Sequence, residues 1–169
     1  KLTVPDFAIN WDEVRAAITP RTRMIIINTP HNPSGQVLSA NDLNQLAMLI
    51  RNTDIVVLSD EVYEHVVFDG EKHHGMATHP QLAERSVIIS SFGKTYHVTG
   101  WRVGYCVAPA ALMDEICKVH QFLMFSADTP MQYAFAEHMQ NPASWLSLAA
   151  FYQQKRDLLQ QLLQDSPFR

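Results

Sequence analysis

Three stretches of this chain place chemically capable side chains just after short apolar runs. Asn32 follows Met24 to Asn28 (MIIIN), Asp60 and Tyr63 follow Ile55 to Leu58 (IVVL), and Ser91 and Lys94 follow Val87 to Ile89. Arg102 lies a little beyond Lys94. If the three runs are neighbouring strands, an amide, a carboxylate, a phenol, a hydroxyl and an amine converge on one sheet edge. Such a set suits an aldehyde-bearing cofactor. A lysine can condense with an aldehyde as a Schiff base and later shuttle a proton. Its free pKa is about 10.4, so desolvation or nearby positive charge must act for it to be neutral near pH 7. A pyridine ring that draws off carbanion charge needs its nitrogen protonated, and a fixed aspartate can hold that proton. A ring oxygen takes donors from Asn and Tyr. A phosphate takes hydroxyls and an arginine fork.

Taken singly, each residue has a plainer explanation. Asn32 can merely shape a turn. Asp60 can be a solvated strand-end carboxylate, and Lys94 a solvated surface lysine. Tyr63 can be core or rim. Arg102 can pair with any of 17 acids. The plain readings weaken only jointly, because the spacing around each residue is specific.

The elements that must carry these residues can be read from periodicity. Trp11 to Ile18 suits a short amphipathic helix ending before Pro20, since the residue before proline avoids the helical region. The three apolar runs read as strands buried on both faces. Thr29-Pro30-His31-Asn32-Pro33-Ser34-Gly35 must be a loop. Ser39-x-x-Asp42 is close to a capping box, and Leu43, Leu46, Ala47, Leu49 and Ile50 follow at helical spacing. Strand, helix and strand in succession predict a parallel βαβ unit. Residues 71–85, with His73, His74 and His79, read as an exposed connection. Residues 103–107 (VGYCV) read as a fourth strand. Too few residues separate it from the third for a parallel crossover, which takes roughly a dozen or more, so it should run antiparallel. Helices are expected from Pro109 to about residue 123, from Pro130 to about residue 140, and from just after Pro142 to about residue 164, with proline at the first turn of each. The fold class is thus α/β, a mostly parallel sheet with flanking helices and one antiparallel strand near 103–107.

The chain has 169 residues, 47% hydrophobic and 18% charged, with a formal charge of −4. It can bury a real core, and a generally basic nucleic-acid-binding surface is not expected. No apolar run approaches the roughly 18 residues that a membrane span needs. The N-terminal KLTVPDFAINWDEV lacks the basic-then-apolar order of a signal peptide. Cys106 and Cys117 are expected to be reduced and mostly buried, which fits a cytoplasmic location. With no initiator Met, the chain reads as a piece of a longer protein.

Asn32-Pro33-Ser34-Gly35 resembles the N-P-[ST]-G loop of fold-type I, class I/II aminotransferases. Asp60-Glu61-Val62-Tyr63 is similar to their D-x-x-Y segment. Ser91-Phe92-Gly93-Lys94 with Gly100-Trp101-Arg102-Val103-Gly104 resembles their S-x-x-K and G-x-R-x-G stretch. The gaps of 28 and 34 residues between Asn32, Asp60 and Lys94 are family-like. The resemblance implies a pyridoxal 5′-phosphate (PLP) enzyme. It would make Lys94 the Schiff-base lysine and proton shuttle, and Asp60 the partner of the pyridine nitrogen. Asn32 and Tyr63 would bond the ring oxygen, and Ser91 and Arg102 the phosphate. It implies a homodimer with the active site at the subunit interface, and an amino acid and a 2-oxo acid as substrates exchanged by ping-pong turnover. Residues 1–141 would be a partial large PLP-binding domain, and residues 142–169 a long helix leading to a small domain.

Other family parts are absent from the chain: the phosphate loop, the ring-stacking aromatic, the partner tyrosine and the substrate-carboxylate arginine. Arg169 is not assigned that last role. NTPHNPSG and SFGKTYHVTGWRVGY are similar to the methionine, kynurenine and glutamine-phenylpyruvate branch. Aspartate-type members carry a side-chain-binding arginine after the lysine; here that neighbourhood is Gln121-Phe122-Leu123-Met124-Phe125. This favours an apolar, sulfur-bearing or aromatic substrate, unless these residues simply face the core. A C–S lyase or α-synthase on the same scaffold, or a PLP-binding transcriptional regulator, are the alternatives.

Two signals lead elsewhere and are set aside. Gly93-Lys94-Thr95 imitates the end of a nucleotide-binding loop, but Ile88 stands where its first glycine is required. His73, His74 and His79 lack a cysteine or acid pair to complete a metal site, so no metal is expected.

Overall fold

The structure is a computed structural model that describes residue 2 and residues 4–167. Arg169 lies outside the described residues. Helix α1 (Trp11–Ala17) leads into strand β1 (Met24–Asn28), followed by α2 (Ala40–Ile50) and β2 (Val56–Asp60). A 3-10 turn (Met76–Thr78) and the short α3 (Pro80–Ala83) precede β3 (Ser86–Ser91). After β3 come α4 (Phe92–Thr95), a second 3-10 turn (Thr99–Trp101) and β4 (Gly104–Val107). Helices α5 (Ala110–Leu123), α6 (Thr129–His138), α7 (Ala143–Leu146) and α8 (Leu148–Leu163) complete the chain.

The sheet order is β1-β2-β3-β4. The first three strands are parallel and β4 is antiparallel to β3, as loop length requires. The α2 helix starts where Ser39 and Asp42 exchange hydrogen bonds in a full capping box. Its Leu43, Leu46, Ala47 and Ile50 are buried against Ile27, Ile55 and Val57. This is the main core, and it covers one face of the sheet.

The register assigns the faces. Asn28 pairs with Asp60, Asp60 with Ile89, and Ser91 lies two residues beyond Ile89. Asn28, Asp60 and Ser91 therefore share one face, opposite the face that carries Val57 and Ser59. Both Val57 and Ser59 are fully buried.

Several expectations are corrected. The β1 run is not buried on both faces: Ile26 is 70% exposed and Met24 48%. Among the described residues β1 is an edge strand with a layer on one side only. Residues 71–85 are not a wholly exposed connection, because Met76 and Leu82 are fully buried. The apolar spacing of that stretch was masked by its histidines and by Pro80. The last helical stretch is two helices, not one. Ser147 ends α7 with its hydroxyl on the Ala143 carbonyl at 2.9 Å, a local bond that competes with helix continuation. Cys106 is half-buried and Cys117 exposed, both as free thiols. Among the described residues, no helix is long and apolar enough to cross a membrane.

Helix α8 is bolted to the loop after β2. Arg156 forks onto Asp69 at 2.5 and 2.7 Å, and Gln153 accepts from the Asp69 amide at 2.8 Å. The Tyr152 hydroxyl meets His97 at 3.2 Å. Leu148 fills the space beneath, 4% exposed.

Candidate active site

The carboxyl ends of β1, β2 and β3 lie side by side, which is where open α/β sheets hold ligands. The Asn28 side chain ties the first two ends together. Its amide donates to the Asp60 carbonyl at 3.2 Å, and its oxygen accepts from the Asn32 amide at 2.8 Å. Asn28 carries no local signal beyond ending a strand; its role rests on a partner 32 residues away. Asn32 itself is exposed, on a loop shaped by a bond of 2.7 Å between His31 and Ser34 and by Gly35 at φ 76°.

Asp60 is half-buried. Its carboxylate makes one local bond, from the Val62 amide at 3.3 Å. It has acceptor capacity to spare for an outside donor. Two turns then carry the chain past Tyr63, closed by Glu64 N–H to the Glu61 carbonyl and Val66 N–H to the Tyr63 carbonyl.

Lys94 sits in α4, which β3 feeds directly. Ser91 caps this helix by accepting from the Gly93 amide at 3.1 Å, leaving its hydroxyl proton available. Gly93 is required here: a Cβ would stand 2.9 Å from the Thr99 Cα. The close return of the chain onto α4 needs that gap. The Lys94 side chain is exposed and makes no hydrogen bond or ion pair among the described residues. Its ammonium lies 5.7 Å from the centre of the Tyr63 ring. Both line a cavity of about 400 Å³, walled by Val62, Val66, Leu148 and Tyr152.

Arg102 is less well gathered. It is exposed, and its guanidinium donates to the Thr99 carbonyl at 3.3 Å rather than reaching Ser91. Its backbone is left-handed, φ 56° and ψ 35°. That conformation costs a side-chain-bearing residue about 1–3 kcal/mol and clusters at functional sites. The structure thus ties Asn28 to Asn32 and to the Asp60 backbone, and brings Tyr63 and Lys94 to one cavity, with Ser91 at the cap of the Lys94 helix. It leaves Arg102 at the rim.

Two carboxylates that flank Tyr63 in the chain, Glu61 and Glu64, carry no motif of their own but are tied down by hydrogen bonds. Glu61 is 4% exposed. It accepts from the Ser59 hydroxyl at 2.9 Å and the Met76 amide at 2.9 Å, and contacts His73 Nε2 at 2.8 Å. Burial alone would raise its pKa. The bonds from His73, Met76 and Ser59 outweigh burial and hold the carboxyl below its ordinary 4.5. His73 is therefore not a solvated loop histidine. Glu64 accepts from Ser90 at 2.7 Å and from Tyr105 at 2.6 Å. Burial, and then the Glu64 carboxylate, push the Tyr105 phenol up to about 12. The phenol stays a donor across the physiological range. Among the described residues, no group of three His, Cys, Asp or Glu side chains could hold a metal ion.

These shifts predict an acid response. Burial lowers the His65 pKa from 6.5, against the opposing pull of Glu64. Both His65 and Glu61 bind protons less readily folded than unfolded, so stability falls as pH falls. The His65 contribution is present above about 6.5 and erodes below it. The Glu61 contribution erodes below its ordinary 4.5. Urea midpoints measured from pH 7.5 to 4 should decline in those two windows. The Glu61→Gln variant should show a smaller decline in the lower one, with Asp42 and Asp69, also held below their ordinary range, supplying the rest.

Comparison with known proteins bears on the family and the fold. Residues 2–169 match the family model described as aminotransferase class I and II. The chain is 51% identical over 166 residues to the methionine aminotransferase of Escherichia coli K12, covering 98% of this chain and 43% of that protein. It is 44% identical over 156 residues to a kynurenine–oxoglutarate transaminase of Dictyostelium discoideum, covering 89% and 36%. A solved Escherichia coli protein identified with a methionine aminotransferase function superimposes with a TM-score of 0.96 at 50% identity. That match covers 98% of this chain and 44% of the other. An N-succinyldiaminopimelate aminotransferase from Mycobacterium tuberculosis superimposes with a TM-score of 0.91 at 40% identity, covering 98% and 44%. The chain thus spans about two-fifths of the length of these relatives. By its motifs, its sheet and the match along nearly its whole length, the chain belongs to the aminotransferase class I and II family.

Proposed function

We propose that this chain is the cofactor-binding core of a PLP-dependent transaminase, with Lys94 carrying the cofactor. One observation carries the reading: the Lys94 ammonium and the Tyr63 ring, which follow the ends of neighbouring parallel strands, share a cavity, 5.7 Å apart. The donor set fits PLP. Asp60 offers a half-buried carboxylate with spare acceptor capacity, suited to a protonated pyridine nitrogen. Tyr63 and Asn32 would donate to the ring oxygen. Ser91 keeps a proton to give to a phosphate, and Arg102 would swing from the rim to join it. When bound, PLP supplies an electron sink for charge at the substrate α-carbon.

The chain's own residues supply the rest. The Lys94 amine would take the proton from the substrate α-carbon and deliver it, across the intervening nitrogen, to the cofactor's former aldehyde carbon. Positioned proton transfer of this kind is typically worth roughly 10²–10⁴ in rate. Asp60 would keep the ring nitrogen charged. Tyr63 and Asn32 would orient the ring in its plane.

The substrates would be an amino acid and a 2-oxo acid, with methionine or another apolar, sulfur-bearing or aromatic side chain favoured. Support comes from the relatives named for methionine and kynurenine, and from a segment after the lysine that lacks arginine. Phe122, Leu123, Met124 and Phe125 are 65–87% exposed, so they do not face the core of the described residues. Residues 1–141 would form the large domain, with the helices after Pro142 leading to a second. A homodimer in the cytoplasm completes the proposal.

Paired half-reactions test it. In the complete protein, methionine should convert the bound cofactor to its amine form, and a 2-oxo acid should restore it, giving parallel-line kinetics. Release of ammonia and a keto acid without a second substrate would instead indicate a lyase.

A further inference from the structure

We propose that Glu64 is a positioning residue for the active site, a tether that sets the distance between Tyr63 and Lys94. The inference rests on the transaminase reading above and goes beyond it, since Glu64 belongs to none of the cofactor-contacting positions.

The geometry is specific. Tyr63 and Lys94 come from different strand ends, so their separation depends on what joins the loop after β2 to β3. Backbone bonding between β2 and β3 ends at Glu61 N–H to the Ile89 carbonyl, 2.8 Å. Past that point, two carboxylates on either side of Tyr63 hold the loop. Glu61 faces back to Ser59, His73 and the Met76 amide. Glu64 faces forward to Ser90 at 2.7 Å and to Tyr105 at 2.6 Å, both on the same oxygen.

Ser90 is 2% exposed and immediately precedes Ser91, the cap of the helix that holds Lys94. Tyr105 is its register partner on β4. Gly104 lets β4 come this close: a Cβ there would meet the Ser90 carbonyl oxygen at 2.6 Å. Ser90 and Tyr105 lie on the sheet face opposite Asp60 and Ser91. Glu64 therefore braces the site from behind, without entering it. His65, the other ionisable neighbour, has its Nε2 3.9 Å from the same Glu64 oxygen and stacks at an angle beside Trp145.

A hydroxyl that donates to a carboxylate makes a short, directional link, and that of Ser90 is buried as well. Two such links on one oxygen leave Glu64 little freedom. Loosening them lets the loop, and Tyr63 with it, drift from Lys94. The phenol then donates less well to the cofactor's ring oxygen. That oxygen holds the proton it shares with the Lys94 linkage more tightly, so the linkage titrates at higher pH.

The experiment uses the complete, PLP-loaded protein and follows the pH midpoint of its visible absorption, together with kcat and KM. Glu64→Ala should raise the midpoint by roughly 0.5–1 pH unit, the equivalent of one ordinary hydrogen bond. It should lower kcat more than it raises KM. Glu64→Gln keeps the accepting oxygen and should stay close to wild type in both readouts. Tyr105→Phe removes one tether and should shift the midpoint part of the way; it serves also if Glu64→Ala fails to fold. An unmoved midpoint in Tyr105→Phe and Glu64→Ala overturns the proposal. So does a Glu64→Gln variant as impaired as Glu64→Ala, since charge rather than tethering would then be at work. Failure of the underlying reading is separate: wild type would then form no lysine-linked absorption at all.

Discussion

Replacing Lys94 with alanine is expected to remove the lysine-linked absorption of bound PLP and to reduce transamination by at least roughly 10²–10⁴, the worth of the proton shuttle alone. The loss should be chemical and not structural. The Lys94 side chain is exposed and makes no hydrogen bond or ion pair among the described residues, only the distant ring contact with Tyr63, so its removal disturbs little packing. Surface changes of that kind usually lie within about 0.5 kcal/mol of wild type. Thermal melts of wild type and Lys94→Ala should therefore coincide in the absence of PLP, while turnover and spectrum diverge. Lys94→Arg sharpens the test. It keeps a positive charge 5.7 Å or so from the Tyr63 ring but cannot deprotonate to act as a nucleophile. It should be as inactive as the alanine variant. Multiple turnovers by either variant would remove Lys94 from its assigned role.

The parts of this site that were legible in the sequence are those whose signal is local. Asp60, Tyr63 and Lys94 sit at fixed offsets after short β-branched runs, and a parallel sheet then brings the offsets together. The antiparallel β4 followed from the length of one loop. The capping box at Ser39 was visible because both partners lie within one turn. What was missed depends on distance along the chain. Glu61 and Glu64 look like ordinary charged loop residues until His73, Ser90 and Tyr105, at separations of 12, 26 and 41 residues, fold against them. Asn28 reads as a strand end until Asp60 pairs beside it. The short α3 and α4 are too brief to carry a helical period, so they were hidden in loops. Among the described residues the run at Met24–Asn28 is covered on one side only, and an apolar run cannot say how many layers cover it. Arg102 is the residue for which motif and geometry part company. Its spacing matches the family, yet its guanidinium lies on the Thr99 carbonyl. Its left-handed backbone marks it as held in an unfavoured conformation.

Asp60→Asn should leave PLP bound through Lys94 but slow turnover by roughly 10–150-fold. The estimate follows from the charge-assisted bond it would make to a protonated ring nitrogen. Such bonds contribute about 1.5–3 kcal/mol, and each 1.36 kcal/mol is a factor of ten in rate. Asparagine is nearly the same size and keeps an oxygen for the Val62 amide, so the local turn that starts the loop should persist. It cannot supply the negative charge. Asp60→Ala removes both, and comparing the two separates electrostatics from loop geometry. Equal losses in kcat for Asn and Ala would place the effect in the charge. A much larger loss in Ala would place part of it in the Val62 bond and the path of the chain to Tyr63. The Asn28 tie runs to the backbone carbonyl of residue 60, which both variants retain, so the β1 and β2 ends should stay together in each. A kcat unchanged by Asp60→Asn would mean that the ring nitrogen is held by a group other than this carboxylate, and the alignment of strand ends would then need a different ligand to explain it.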